Sequence, residues 1–287
     1  MIKKGLFLLL LCSYISLMIP LTAFMKERPV AVKLGYFPEA HALKTVAGDH
    51  RYLVAQYAVV KVLFYFGTIV EKAKNMIVVK PEYQNMFKTL QTASKLDPWN
   101  ADVYYFTQAA FTWELNKIQD VNEMLDYGMK HRTWDYQLPY FAGFNAAYFL
   151  KDYGTAAAYM KKAAELSKDQ LMTSLASRYL YESGQNEIAL QFIEFMQQRT
   201  MDRKLINLYE FRKKALIAVI SIQKGVNAYV RSRGTPPSRI EDIVAAGFID
   251  RIPEDPYGGT FYLDEKGTVR STSKFAFGTA PIRWSTE

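Results

Sequence analysis

The 287 residues include one cysteine, Cys12, which lies inside an apolar segment. No cysteine follows it, so the rest of the chain can form neither an internal disulfide nor a thiolate metal site. Histidine is also scarce: His41, His50 and His131 lack the spacing that metal ligands or a catalytic triad require. These absences exclude a small disulfide-stabilised domain and argue against a metalloenzyme.

Motifs of nucleotide binding and of hydrolase chemistry are missing as well. The sequence has no Gly-x-Ser-x-Gly, no Walker loop and no dinucleotide fingerprint. Adjacent carboxylates occur at Glu241-Asp242 and Asp264-Glu265, where helix capping and turn formation account for them. We therefore expect no catalytic residue, no metal, no cofactor and no small-molecule substrate, and we interpret the protein as a non-enzyme.

The N-terminus has the pattern of a membrane-targeting segment. Lys3 and Lys4 precede residues 6–25, which carry no charge and are long enough to span a bilayer. An uncleaved anchor and a cleaved signal peptide both fit, although residues 20–24 form a poor cleavage site. The lysines keep the N-terminus in the cytoplasm. We expect a bacterial inner-membrane protein with most of the chain in the periplasm, or a soluble periplasmic protein after cleavage.

What the chain has in quantity is apolar and basic residues. Half of the residues are hydrophobic and 15% are aromatic, which indicates a folded protein, and the net charge is +8. No nucleic-acid-binding motif accompanies this positive charge, and an exported protein rarely meets nucleic acid. We therefore expect no nucleic-acid partner.

Two segments that lie 33 residues apart have similar patterns. In Asp152–Ala156 and in Gly184–Ala189 a small residue, Ala156 or Ala189, is followed at four and seven residues by apolar or small ones. An Asp97-Pro98 pair fits the turn before such a unit. At these positions the chain resembles the tetratricopeptide family, whose helical hairpins repeat about every 34 residues.

This resemblance implies a mostly α fold, a TPR-like solenoid of helical hairpins with a small C-terminal α+β appendage. Hairpins are expected at 101–131, 137–167 and 170–199. Runs of alanine and aromatic residues such as Phe141–Leu150 are interpreted as core. The predicted domains are a signal anchor or signal peptide at 1–28, a connector and long helix at 29–80, repeats with a capping helix at 81–231, and a tail at 232–287.

In the tetratricopeptide family, the first helix of each hairpin lines a concave groove that binds peptides. Applied to this sequence, the family pattern predicts a groove in which an amide and a guanidinium hold a peptide beside aromatic walls. The predicted groove residues are Tyr105, Phe141, Asn145, Tyr148, Arg178 and Tyr181. An alternative stays open, in which the three tyrosines only pack between repeats.

The tail has a different character. Pro253 and the segment Asp255–Gly258 form a turn before two short alternating runs, Thr260–Leu263 and Thr268–Ser271. Residues 232–275 resemble the C-terminal part of the pseudopilins of type II secretion. The N-terminus departs from that family, because its processing motif needs a glutamate where Leu10 stands.

Together these patterns predict a scaffold that is anchored in the membrane, faces the periplasm and binds another envelope protein or a peptide segment of one. Its membrane contact would be residues 6–25. The alternative is a structural or accessory component of a secretion or pilus-like apparatus, recruited through the tail.

Overall fold

The computed structural model describes residues 2–27, 32–77, 79–114, 117–273 and 275. The chain is mostly helical with a small two-stranded antiparallel sheet near its C-terminus, as predicted. The helices are α1 Ile2–Glu27, α2 Ala40–Ala47, α3 Arg51–Lys74, α4 Tyr83–Leu96, α5 Ala101–Glu114, α6 Ile118–His131, α7 Gln137–Tyr148, α8 Tyr153–Ser167, α9 Gln170–Glu182, α10 Asn186–Gln198, α11 Arg203–Arg233 and α12 Ile240–Ala245. The strands are β1 Phe261–Leu263 and β2 Val269–Ser271.

The chain divides into two compact units, residues 1–107 (unit 1) and residues 108–287 (unit 2). The boundary lies inside helix α5, whereas the sequence pattern put the start of the repeat region at residue 81. Helix α4 belongs to unit 1 because its apolar face packs against α3.

The core of unit 1 lies between α3 and α4. Buried side chains on both helices recur every three or four residues, which is the spacing of one helical face. On α3 they are Ala55, Ala58, Val59, Val62, Tyr65 and Ile69. On α4 the apolar ones are Met86, Phe87, Leu90, Ala93 and Leu96. Helix α4 ends directly before the Asp97-Pro98 pair, the predicted stop.

Two helical stretches of unit 1 are rich in apolar residues. Helix α1 has 26 residues, and its side chains between Leu9 and Phe24 are exposed. The apolar stretch Leu9–Phe24 is shorter than a usual membrane span. In the described part of the chain, Ala40–Lys74 is long and apolar enough to cross a membrane, by length and composition. The core helix of a soluble protein passes the same test. Six side chains of α3 are buried inside unit 1, whereas Leu53, Tyr57 and Phe64 on the same helix are exposed.

In unit 2 each helix from α6 to α11 packs against the next one along the chain. Gly143 of α7 marks a close crossing, because a β-carbon there would lie 3.1 Å from Met160 Cγ and 3.2 Å from Ala156 O on α8. Ala156 and Ala189, the predicted crossing residues, are fully buried. The bounds of α5 and α6, of α7 and α8, and of α9 and α10 match the predicted ranges 101–131, 137–167 and 170–199 to within one residue.

Aspartate side chains begin three of these helices. Asp152, Asp169 and Asp202 accept hydrogen bonds from backbone N–H groups in the first turns of α8, α9 and α11. A cap of this kind stabilises a helix by about 1 kcal/mol. The caps fix where each helix begins, and so which of its side chains face the surface.

The C-terminal hairpin pairs Phe261 with Ser271 and Leu263 with Val269. Its turn is closed by Asp264, whose Oδ1 accepts hydrogen bonds from the backbone N–H groups of Lys266 (2.9 Å) and Thr268 (2.9 Å). Each strand is three residues long, so the pair needs a surface to pack against.

That surface is the helical part of unit 2. Val269 and Phe275 are buried in the same apolar cluster as side chains of α8 to α11. Helix α12 joins it through Ile240 and Ile243. Ile240, Ile243, Val269 and Phe275 therefore belong to the core of unit 2, so the small C-terminal α+β segment packs on the helices.

Candidate protein-binding surface

The six predicted groove residues fall into three classes of exposure. Tyr148 and Arg178 are exposed, and Tyr105 and Phe141 are half-buried. Asn145 and Tyr181 are buried, so neither side chain can contact a peptide in this conformation. Tyr105 lies in the part of α5 that belongs to unit 1, and the other five lie in unit 2.

Asn145 is the centre of a buried amide network. Its Oδ1 accepts from Gln108 Nε2 (2.9 Å), and its Nδ2 donates to Gln108 Oε1 (2.8 Å) and to Asn122 Oδ1 (2.8 Å). These bonds link α5, α6 and α7 inside unit 2. The predicted role of Asn145 in holding a peptide backbone is therefore wrong, because its amide is already satisfied within the fold.

Tyr181 connects α9 to the C-terminal hairpin. Its hydroxyl accepts from the backbone N–H of Ser271 (2.7 Å), and its ring centre lies 4.3 Å from that of Phe275. Arg270 donates from Nη1 to the carbonyl of Tyr181 (2.9 Å) and from Nη2 to that of Glu182 (3.1 Å). Burial raises the pKa of Tyr181 to about 12. Tyr181 thus has a packing role, but these contacts are with the C-terminal hairpin and Phe275, whereas the open alternative placed it between repeats.

The accessible face of α7 carries large aromatic side chains. Phe141, Phe144 and Tyr148 follow one another at spacings of three and four residues, which places them along one side of the helix. The alanines of the same segment, Ala142 and Ala146, are fully buried. The interpretation of Phe141–Leu150 as core therefore holds for the alanines; Phe141, Phe144 and Phe149 are half-buried, and Tyr148 and Leu150 are exposed.

Four rings form a contiguous cluster at the C-terminal ends of α5 and α7. This aromatic patch consists of Trp113, Phe144, Tyr148 and Phe149. Trp113 lies 5.6 Å from Tyr148 and 4.9 Å from Phe149, and Tyr148 lies 5.4 Å from Phe144 between ring centres. Trp113 is 59% exposed and Tyr148 is 51% exposed.

Sequence reasoning missed Trp113, which is exposed, and the half-buried rings of Phe144 and Phe149. The sequence did contain a signal, because α7 has small side chains on one face and large aromatic side chains on the other. Alanine and glycine lie on the side that crosses α8 closely, and the bulky rings lie on the side that has room.

A basic side chain borders the aromatic patch. Lys151 Nζ lies 5.2 Å from the ring centre of Tyr148. The patch therefore offers apolar area next to a positive charge.

Arg212 of α11 is a buried cation that forms no ion pair with any described acidic residue. Its guanidinium carbon lies 5.1 Å from the ring centre of Tyr257 and 5.6 Å from that of Phe275. Burial lowers the pKa of Arg212, and the positive charge of Arg178 acts in the same direction. The rings hold this cation, so it belongs to the packing of the C-terminal segment and not to an accessible surface.

Comparison with protein-family models, with curated proteins and with solved structures gives no match. Among the described residues, no group of three or more His, Cys, Asp or Glu side chains is arranged to hold a metal ion.

Proposed function

We propose that this protein is a membrane-anchored, periplasm-facing scaffold of the bacterial envelope that binds a segment of another envelope protein. The observation that carries the proposal is the exposed aromatic patch. A protein normally buries side chains such as Trp113 and Tyr148, and exposed apolar clusters mark interaction surfaces. Tryptophan and tyrosine are also enriched among the residues that dominate binding energies at interfaces.

The packing of successive helices supports a TPR-like solenoid as the framework of this surface. From α6 to α11 each helix contacts the next, and Ala156 and Ala189 are buried as the repeat pattern requires. In this proposal α7 and α9, the first helices of two hairpins, present the binding face.

The accessible stripe of α9 complements that of α7. It contains Leu171, which is exposed, Ser174, which is half-buried, and Arg178, which is exposed. A guanidinium in this position pairs well with a carboxylate of a bound peptide. The expected ligand is therefore a short segment with one or two apolar anchors and an acidic residue.

The rival function, a component of a secretion or pilus-like apparatus, would use the C-terminal hairpin as its recruiting element. We favour the scaffold because Arg270 and Ser271 of that hairpin are hydrogen-bonded to α9. A hairpin engaged in this way stabilises unit 2 and has less surface left for a partner.

Site-specific crosslinking in cells tests the proposal. A photo-reactive phenylalanine analogue replaces Trp113 or Tyr148 in the full-length protein, and a matched variant carries it at Phe195 of α10, which is 40% exposed. We expect both patch positions to crosslink to the same protein and the Phe195 position not to do so.

Binding of the crosslinked segment is then measured with purified full-length protein. Trp113→Ala and Tyr148→Ala should each weaken binding about tenfold or more, and Phe195→Ala should leave it nearly unchanged. Identical crosslinks from all three positions, or unchanged binding by both patch variants, would contradict the proposal.

A further inference from the structure

Unit 1 contains a cleft of about 470 Å³ between α2, α4 and the extended segment that precedes α2. Its volume lies in the range of small-molecule sites. The lining residues are Tyr36, Phe37, Glu39, Ala40, His41, Lys44, Lys88, Gln91, Thr92 and Lys95.

The sequence of α4 explains one wall. Met86, Leu90 and Ala93 are buried against α3, so Lys88 and Lys95, seven residues apart, lie along the opposite, polar side. Gln91 and Thr92 lie between the two lysines on the same wall.

The facing wall comes from α2 and the segment before it. His41 and Lys44 are three residues apart on α2, which packs against both α3 and α4. The extended segment is held in place by Tyr65, whose hydroxyl donates to the carbonyl of Val32 (3.4 Å) and accepts from the N–H of Glu82 (2.8 Å).

Positive charge dominates this cleft. Lys44, Lys88 and Lys95 share it with a single carboxylate, that of Glu39, and none of the three lysines forms an ion pair with a described residue. The nearby carboxylate of Glu82 is engaged elsewhere, because it accepts from Gly35 N (3.1 Å) and Asn85 Nδ2 (2.7 Å).

The three positive charges around this cleft repel each other, and the attraction of a bound anion to all three would offset that repulsion. Lysine ammonium groups are compact point charges that bind phosphate well, and the side chains of Gln91 and Thr92 add neutral donors. Tyr36 and Phe37 give the mouth an apolar wall.

We propose that this cleft binds a phosphate group, carried either by an anionic lipid headgroup or by a soluble phosphorylated compound. The lipid source depends on the membrane anchor in the proposed function, whereas the soluble source does not. Tyr36 follows the end of α1 by nine residues, a distance of at most about 30 Å in an extended chain. An inserted α1 would therefore keep the cleft within reach of the bilayer surface.

The acylation rate of each lysine, measured by mass spectrometry, tests for a ligand in the cleft of the full-length protein. The protein is placed in nanodiscs of phosphatidylcholine alone, with and without inorganic phosphate or glycerol 3-phosphate at constant ionic strength. A second set of nanodiscs contains phosphatidylglycerol. Lys74 and Lys80, which are exposed on the same unit and lie outside the cleft lining, are the internal controls.

Slower acylation of Lys44, Lys88 and Lys95 on addition of phosphate or its ester supports the soluble source. Protection that needs phosphatidylglycerol supports the lipid source. Equal reactivity in every condition would overturn the proposal. Equal protection of the control lysines would overturn it too, because it would show screening without a site.

A matched pair of variants supplies the second measurement. The triple substitution Lys44→Gln, Lys88→Gln and Lys95→Gln should weaken binding of the protecting ligand about tenfold by calorimetry. The control, with Lys72, Lys74 and Lys80 replaced by glutamine, removes the same charge from unit 1 outside the cleft and should bind as the natural sequence does. Equal losses in both would overturn the site, and neither result alters the crosslinking test of unit 2.

Discussion

Replacing Asn145 by alanine distinguishes a structural role from a binding role. A residue that faced a groove would tolerate the change, whereas Asn145 has no exposed surface and joins α5, α6 and α7 through three hydrogen bonds. We therefore expect Asn145→Ala to lower the stability of unit 2.

The magnitude follows from the groups left behind. Gln108 and Asn122 are 6% and 9% exposed, and both would lose partners for their amide atoms. A buried polar group without a partner costs about 1–3 kcal/mol, and water that enters the vacated space offsets part of it. The expected total is about 2–5 kcal/mol, which lowers the melting temperature of a unit of this size by about 5–15 °C.

The assay is thermal and urea unfolding followed by circular dichroism. Arg178→Ala is the control, because an exposed side chain changes stability by about 0.5 kcal/mol or less. A double-mutant cycle with Gln108→Ala should give a coupling energy of about 1 kcal/mol or more. If Asn145→Ala has the same melting temperature as the natural sequence, the amide of Asn145 is not buried in the fold, and the predicted role in a peptide-binding groove becomes possible again.

Ala156 and Ala189 are fully buried, so Ala156→Leu and Ala189→Leu should each destabilise the protein by about 1–3 kcal/mol through overpacking; unchanged melts for both would contradict the helix register. Tyr181 has a pKa near 12 in the folded protein against 10.0 for the free side chain. Its contribution to stability is complete below pH 10 and is lost as the pH rises towards 12. Between pH 10 and pH 12 the free energy of unfolding should therefore fall more steeply for the natural sequence than for Tyr181→Phe. Equal pH dependence of the two proteins would contradict the raised pKa. If residues 6–25 form an uncleaved anchor, the protein stays with membranes after carbonate washing and has its full mass; a mass that begins near residue 24 would show cleavage.

The helix boundaries were predictable because local chemistry sets them. Aspartate caps begin α8, α9 and α11, and Asp97-Pro98 ends α4. Ala156 and Ala189 were identifiable because close crossings accept only small side chains.

The surface was less predictable because exposure depends on neighbours that are distant in sequence. Tyr181 is covered by Ser271 and Phe275, about 90 positions later. Asn145 is buried by partners on two other helices, which a pattern along α7 cannot reveal. The lining of the basic cleft likewise comes from α2 and α4, which are separated in the sequence by α3.

Because β2 completes the core that α9 begins, the order of synthesis matters for this chain. A ribosome produces α9 long before Val269 and Phe275, so the apolar end of α9 stays uncovered until nearly the whole sequence has emerged. A chain that stops at residue 231 would leave Tyr181 and its neighbours exposed to proteases and to aggregation.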